Sequence, residues 1–221
     1  METKFDYWLW NSVISKTDCQ KIIDRGLEKL NLLQKDGGNS NATTFGDNHK
    51  SDNRNISQKD LTQQQLKEKN INENDVYIRD SNISWLSDQW IYDLIWPWVY
   101  KSNNRSGWHY EFDYAEPAQF TVYNKDQFYG WHSDGPNDVH SVKRRKIPGV
   151  YDEAHKDKSQ FTYVDGLIGK VRKLSITLML SDPNDYEGGN LKFDRGAHNK
   201  DRYVEISDGM INQGSMLVFP S

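Results

Sequence analysis

The sequence predicts a mainly β domain with flanking helices, of the sandwich or jelly-roll kind. Three observations carry that expectation. Helical periodicity is confined to the first half of the chain. From Trp108 onward the period changes to two, and the later apolar runs are short and bounded by glycine or turn residues. Helices followed by a run of short strands argue for two packed layers with the helices against one sheet. At 221 residues the chain fits one domain, 1–221, carrying large polar insertions. Only 35% of residues are hydrophobic, yet 8 are Trp, so a modest core rich in rings is expected.

Each element follows in order. The opening "METKFDYWLW" is aromatic and strand-like, without the basic, apolar and cleavage regions of a signal peptide. In "SKTDCQKIIDRGLEKLNLL", Ile22, Ile23, Leu27, Leu30 and Leu33 recur at helical spacing, and Ser15 or Thr17 can cap the first turn. Residues 34–74 are rich in Gly, Asn, Asp, Lys and Gln and read as a polar insertion, since so few apolar side chains cannot offset the entropy of ordering. Within it "SQKDLTQQQLKEK" could form a short helix capped by Ser57. "VYIRDSNISWL" is a strand. "SDQWIYDLIWPWVYKSNN" is an aromatic helix capped by Ser87 and bent or interrupted by Pro97. Trp85, Trp90, Trp96 and Trp98 are expected in a helix–sheet core.

"WHYEFDYAEPAQFTVYN" alternates, with Gln119, Thr121 and Tyr123 on one face and Phe120 and Val122 on the other. "VRKLSITLMLSDP" sets Ser175, Thr177 and Met179 against Leu174, Ile176, Leu178 and Leu180. "GGNLKF" and "GSMLVFP" complete the strands. A net charge of −4 offers no global electrostatic case for nucleic acid or a membrane surface. Cys19 is the only cysteine, which points to a reducing compartment. No apolar run approaches the roughly 18 residues of a membrane helix, so a cytoplasmic protein is expected.

The stretch "YGWHSDGP" carries the most specific chemistry. In an extended segment His132 and Asp134 share a face, with Cα atoms roughly 6.5–7 Å apart, so both can converge on one ion. An imidazole and a carboxylate are two of the three ligands in the facial triad of non-haem Fe(II) oxygenases.

Taken in order, "IRDSNISWL", Gln119 with Tyr123 nine residues ahead of His132, the His-x-Asp pair, "RKLS" and "DYEGGNL" resemble the Fe(II)- and 2-oxoglutarate-dependent dioxygenases of the prolyl 4-hydroxylase type, from about residue 75 to the end. Residues 1–74 match loosely, through the helix containing Cys19. The resemblance implies a double-stranded β-helix with iron in its mouth. It assigns His132 and Asp134 as metal ligands, and Tyr123 and Thr177 as cofactor-binding residues lining a barrel interior. The implied cofactors are Fe(II) and 2-oxoglutarate, with ascorbate as accessory; the implied partners are O2 and a peptidyl-prolyl or other small substrate. Gly188 and Gly189 would permit the turn into the next strand.

Two expectations complete the picture. The family's second histidine would follow a strand like "GSMLVFPS", with a basic residue about ten positions beyond. The chain ends at Ser221, so the resemblance implies a jelly roll lacking its last strand, and a chain truncated before the distal histidine. The alternative is a non-catalytic binding module on a degenerate dioxygenase fold. The run Lys143, Arg144, Arg145, Lys146 lies in an insertion, 136–168, that the resemblance places near the site, where it would grip an acidic substrate. His198, His109, His140, His155 and His49 read as surface or loop residues.

Overall fold

A computed structural model describes residues 5–36, 40–46, 76–112, 115–132, 134, 172–196, 200–206 and 212–221. Along them run β1 (Trp8–Trp10), α1 (Lys16–Lys35), β2 (Asn41–Gly46), β3 (Val76–Leu86), α2 (Gln89–Arg105), β4 (Ala118–Val122), β5 (Phe128–Tyr129), β6 (Leu174–Leu178), β7 (Leu191–Asp194), β8 (Tyr203–Ile206) and β9 (Met216–Pro220). The described chain is therefore mainly β with two helices. All strand pairing is antiparallel, in three sheets: β1-β9-β6, β2-β3-β4 with β5 also on β3, and the β7-β8 hairpin. Among the described residues these sheets do not close into a barrel. The chain divides into two compact units, Met1–Cys19 with Gln89–Glu116 and Ser133–Ser221, and Gln20–Asp88 with Pro117–His132.

In the first unit, β9 is the middle strand of its sheet and is covered on both faces. Met216 and Val218 point one way, into a cluster with Trp108, Trp8, Trp10, Ile95, Trp98, Leu174 and Leu178. Leu217 points the other way, against Ile206, Leu9, Met179, Leu191, Phe193 and Phe219. This is why "MLVF" reads as a continuous apolar run and not an alternation: a strand covered on both faces has no polar side. The rings that fill the first cluster keep their polar ends satisfied. Trp10 Nε1 donates to Ser102 Oγ at 2.8 Å, and Trp108 Nε1 donates to the Phe5 carbonyl at 2.8 Å. Gly188 and Gly189 have φ of +76° and +71°, the left-handed conformation that turns the chain into β7.

Several expectations are corrected in this unit. The described residues of 108–117 form no strand, and Asn103 captures the backbone of Tyr110 instead: its Nδ2 donates to the Tyr110 carbonyl and its Oδ1 accepts from the Tyr110 N–H, both at 2.9 Å. Pro97 does not interrupt α2, since it lies on the exposed side of a helix that continues to Arg105. That helix starts at Gln89, one residue later than a Ser87 cap requires. Ile176 stays 41% exposed although its neighbours Leu174 and Leu178 are packed, because β6 is the edge of its sheet. Trp90 is likewise on the surface, while Trp98 does join the core.

In the second unit β3 is the central strand. β2 pairs along one side of it, and β4 and β5 share the other. Asn82 pairs with Val122 and Asp80 with Phe128, so β5 continues the line of β4 after residues 123–127 loop out opposite Ser81. One face of this sheet carries Ser84 and Phe120 against α1. The Ser84 hydroxyl donates to the Gly26 carbonyl at 3.0 Å, and the Phe120 ring fills the space where a side chain at Gly26 would stand. Ile22, Gly26 and Leu30, spaced by four, are the buried stripe of the helix. Leu27 and Leu33 are exposed, contrary to the sequence reading, because the close approach at Gly26 turns that narrower line toward the sheet. Trp85 is 53% exposed and outside the core.

The polar insertion is also corrected in part. Asn41–Gly46 is a strand, β2, registered against β3 from Asn82 to Val76. Backbone pairing along the edge of β3 orders a segment whose apolar content alone would not. The short helix expected at 57–69 lies outside the described residues. The Ser15 cap holds: its Oγ accepts from the Asp18 N–H at 3.0 Å, at the first turn of α1.

Two measurements test this packing. Gly26→Ala gains up to about 1 kcal/mol of helix propensity but drives a methyl into the Phe120 ring, an overpacking cost of about 1–3 kcal/mol, so urea melts should show net destabilisation. Cys19 is fully buried, and burial followed by the charge of Asp18 raises its thiol pKa. A thiol reagent should therefore titrate no cysteine in the native protein and one after denaturation.

Candidate functional site

The side of the β3–β4 sheet opposite α1 is polar where the alternation of β4 predicts it. Gln119 and Thr121 sit across from Trp85 and Ile83, on the same face as Ser81 and Arg79. Arg79 organises this face. Its guanidinium, only 6% exposed, donates from Nε to Ser81 Oγ at 2.9 Å and from Nη2 to Gln119 Oε1 at 2.7 Å and Thr121 Oγ1 at 3.3 Å. The charge of Arg79 also acts on the Tyr123 hydroxyl. Tyr123 itself is 47% exposed, yet burial at its hydroxyl end raises the phenol pKa above the ordinary value, against the opposing pull of the Arg79 charge. At neutral pH it is a neutral phenol with a hydrogen to donate.

β5 connects this cluster to His132. Tyr129 pairs with Arg79 across the strands, and the guanidinium lies 4.5 Å from the centre of the Tyr129 ring. The same ring stacks on the His132 imidazole, with centroids 3.7 Å apart and planes 7° from parallel. His132 Nδ1 is 2.8 Å from the Gly130 carbonyl. A carbonyl only accepts, so Nδ1 carries the proton in the neutral ring and Nε2 carries the lone pair. His132 itself is not in a strand, so the condition of an extended segment is not met at this residue. β5 ends at Tyr129 and the chain bends at Trp131.

Asp134 belongs to the other unit and is held through its main chain. Arg172 Nη1 donates to the Asp134 carbonyl at 3.0 Å, while its Nε and Nη2 donate to Glu116 Oε2 at 3.0 and 2.6 Å. Thr177 is partly buried on β6 opposite Leu217, on the face that meets the β7-β8 hairpin. The run Lys143, Arg144, Arg145, Lys146, with the rest of 136–168, lies outside the described residues. So does His198.

The structure thus joins Tyr123 to a residue to which the sequence reading gave no role. Arg79 was visible only as a letter in the strand "VYIRDSNISWL". The available signal was parity: an arginine two residues from Ser81 on a strand whose partner offers Gln119 and Thr121 at the same spacing. Arg172 was seen as part of "RKLS", without its hold on Asp134.

His132 and Asp134 are each of a residue type that suits a ferrous ion. Among the described residues no three His, Cys, Asp or Glu side chains converge to hold an ion. No helix among them is long and apolar enough to cross a membrane. Comparison of the chain with protein-family models, curated proteins and solved structures finds no significant match.

The raised phenol pKa gives a signed test. A group whose pKa is higher folded than unfolded contributes stability that is fully present below about pH 10 and is lost as pH rises through the folded value. Tyr123→Phe should therefore lose less stability than the wild type between pH 9 and 11, measured by urea titration at each pH.

Proposed function

We propose that the chain is an Fe(II)- and 2-oxoglutarate-dependent dioxygenase of the prolyl 4-hydroxylase type, built on a double-stranded β-helix. It would hydroxylate a C–H bond of a peptidyl-prolyl or other small substrate. The observation that carries the reading is the placement of His132, whose Nδ1 lies 2.8 Å from the Gly130 carbonyl, two residues ahead of the Asp134 carboxylate. The single cysteine fits a reducing, cytoplasmic setting, which keeps iron ferrous.

His132 and Asp134 would hold the iron, leaving positions for the keto acid and O2. When bound, the metal supplies O2 activation coupled to decarboxylation of 2-oxoglutarate to succinate and CO2, with one oxygen atom passing to the substrate. The protein's own contribution is orientation. Tyr123, held protonated, donates to a carboxylate of the keto acid. Arg172 braces the backbone at Asp134 against Glu116, a constraint that keeps a ligating residue from drifting. Thr177 offers its hydroxyl on the inner face of β6. Lys143, Arg144, Arg145 and Lys146 remain the proposed grip on an acidic substrate.

The test is metal binding by calorimetry with Mn(II) under anaerobic conditions, then Fe(II). His132→Ala and Asp134→Ala should each weaken binding by at least about 10- to 100-fold, the loss typical of even indirect disturbance of a metal site. Arg172→Gln should weaken it less while leaving the fold intact by circular dichroism. Undiminished binding in both ligand variants would remove the assignment.

A further inference from the structure

Four of the described arginines hold a carboxylate. Arg25 pairs with Asp88 and Glu28, Arg172 with Glu116, Arg195 with Asp6 and Arg202 with Asp194. A fifth, Arg105, is exposed and lies over the Trp10 ring. Arg79 is the most buried of the described arginines, and among the described residues no carboxylate reaches it. Its acceptors are Ser81, Gln119 and Thr121, all neutral, with the Tyr123 hydroxyl near enough to feel its charge and the face of the Tyr129 ring beside them. That order is the reverse of what desolvation favours: removing a cation from water costs several kcal/mol, and the most buried one most needs a counter-charge. Guanidinium, with its planar fork, is also the side chain best matched to a carboxylate.

The neutral partners reinforce this polarity. Because Arg79 can only donate, each oxygen it bonds must accept, so the hydroxyl hydrogen of Thr121 and the amide hydrogens of Gln119 are left to donate elsewhere, and the neutral Tyr123 phenol adds another donor. Gln119 and Tyr123 are both exposed, so these donors open to the surface. The cluster is a cation surrounded by outward-facing donors. An anion would complete it.

We propose that Arg79, with Gln119, Thr121 and Tyr123, forms a carboxylate-binding subsite that takes up an organic acid, the acid replacing a neutral acceptor on the guanidinium. One ring, that of Tyr129, touches both Arg79 and His132, which makes the anion site a neighbour of the histidine. Identifying that acid as the 2-oxo acid co-substrate rests on the dioxygenase reading; the anion site itself does not. The carboxylate belongs either to the co-substrate or to an acidic substrate, and the two are separable.

The experiment uses the full chain, stripped of metal with chelator, and measures binding of glutarate, 2-oxoglutarate and the neutral diamide glutaramide by calorimetry. The two acids should bind and glutaramide should not. Arg79→Gln should weaken both acids by roughly 10- to 100-fold, the worth of hydrogen bonds to a charged group. Arg79→Lys keeps the charge but loses the fork, and should fall between. Gln119→Glu supplies the missing carboxylate from within the protein, so it should raise Tm and abolish glutarate binding. This variant decides the matter if Arg79→Gln fails to fold. His132→Ala should leave metal-free glutarate binding unchanged, so loss of the iron assignment and loss of the anion site give different results. Adding Mn(II) identifies the source: tighter 2-oxoglutarate with unaltered glutarate assigns the subsite to the co-substrate, and no tightening assigns it to the substrate. The proposal is overturned if the wild type binds neither acid, if folded Arg79→Gln binds them equally well, or if Gln119→Glu is less stable and still binds glutarate.

Discussion

The register of β3 against β4 and β5 is the constraint on which the candidate site depends. Side chains alternate with a period of two, so a slip of one residue would carry Arg79 and Ser81 to the helix face and bring Ser84 and Leu86 out. Burial opposes that slip from both sides. On one face Ser84 and Phe120 meet Gly26 of α1, where the helix backbone comes too close for any side chain. On the other, Arg79 is tied to two residues of β4 and to the ring of Tyr129 on β5. The loop between β4 and β5 is therefore anchored at both ends, and Tyr123 at its start is set beside the guanidinium.

A buried ionised group is weak evidence for stability, because its desolvation offsets much of what its hydrogen bonds return. Replacing Arg79 by an apolar residue would relieve that cost and leave Gln119, Thr121 and Ser81 to find other partners. The arrangement makes more sense as recognition. A guanidinium fixed by neutral groups is pre-organised, so an arriving carboxylate meets donors already in place and little ordering remains to be done. The phenol of Tyr123, kept protonated by burial, adds a donor without adding a negative charge that would repel the acid.

The first unit solves a different problem. β9 must hide apolar side chains on both faces, and it does so between a Trp-rich cluster and a small hairpin. The edge strand β6 takes its order from β9 by pairing from Leu174 to Leu178, which fixes the parity of Thr177. Arg172, two residues ahead of β6, is thereby brought to Glu116 and the Asp134 carbonyl.

Sequence alone determined the two helices, the strand 76–86, the strands at 174–178, 191–194 and 216–220, and the division of β4 into an apolar and a polar face. Periodicity reports which side of an element is buried, and those elements are long or apolar enough for the signal to stand out. It also singled out His132 and Asp134 as a pair, because spacing along a chain is visible without a fold. Tertiary structure decided the rest. That Asn41–Gly46 pairs as a strand depended on an edge supplied by a segment more than thirty residues away. That the described residues around Tyr110 do not depended on Asn103 reaching its backbone. The tautomer of His132 was set by a carbonyl two residues back, once the chain bent at Trp131. That no carboxylate among the described residues reaches Arg79 could not be read from composition, since a count of acids and bases does not say which arginine finds a carboxylate. Only the pairing of distant strands assembled neutral acceptors around that cation.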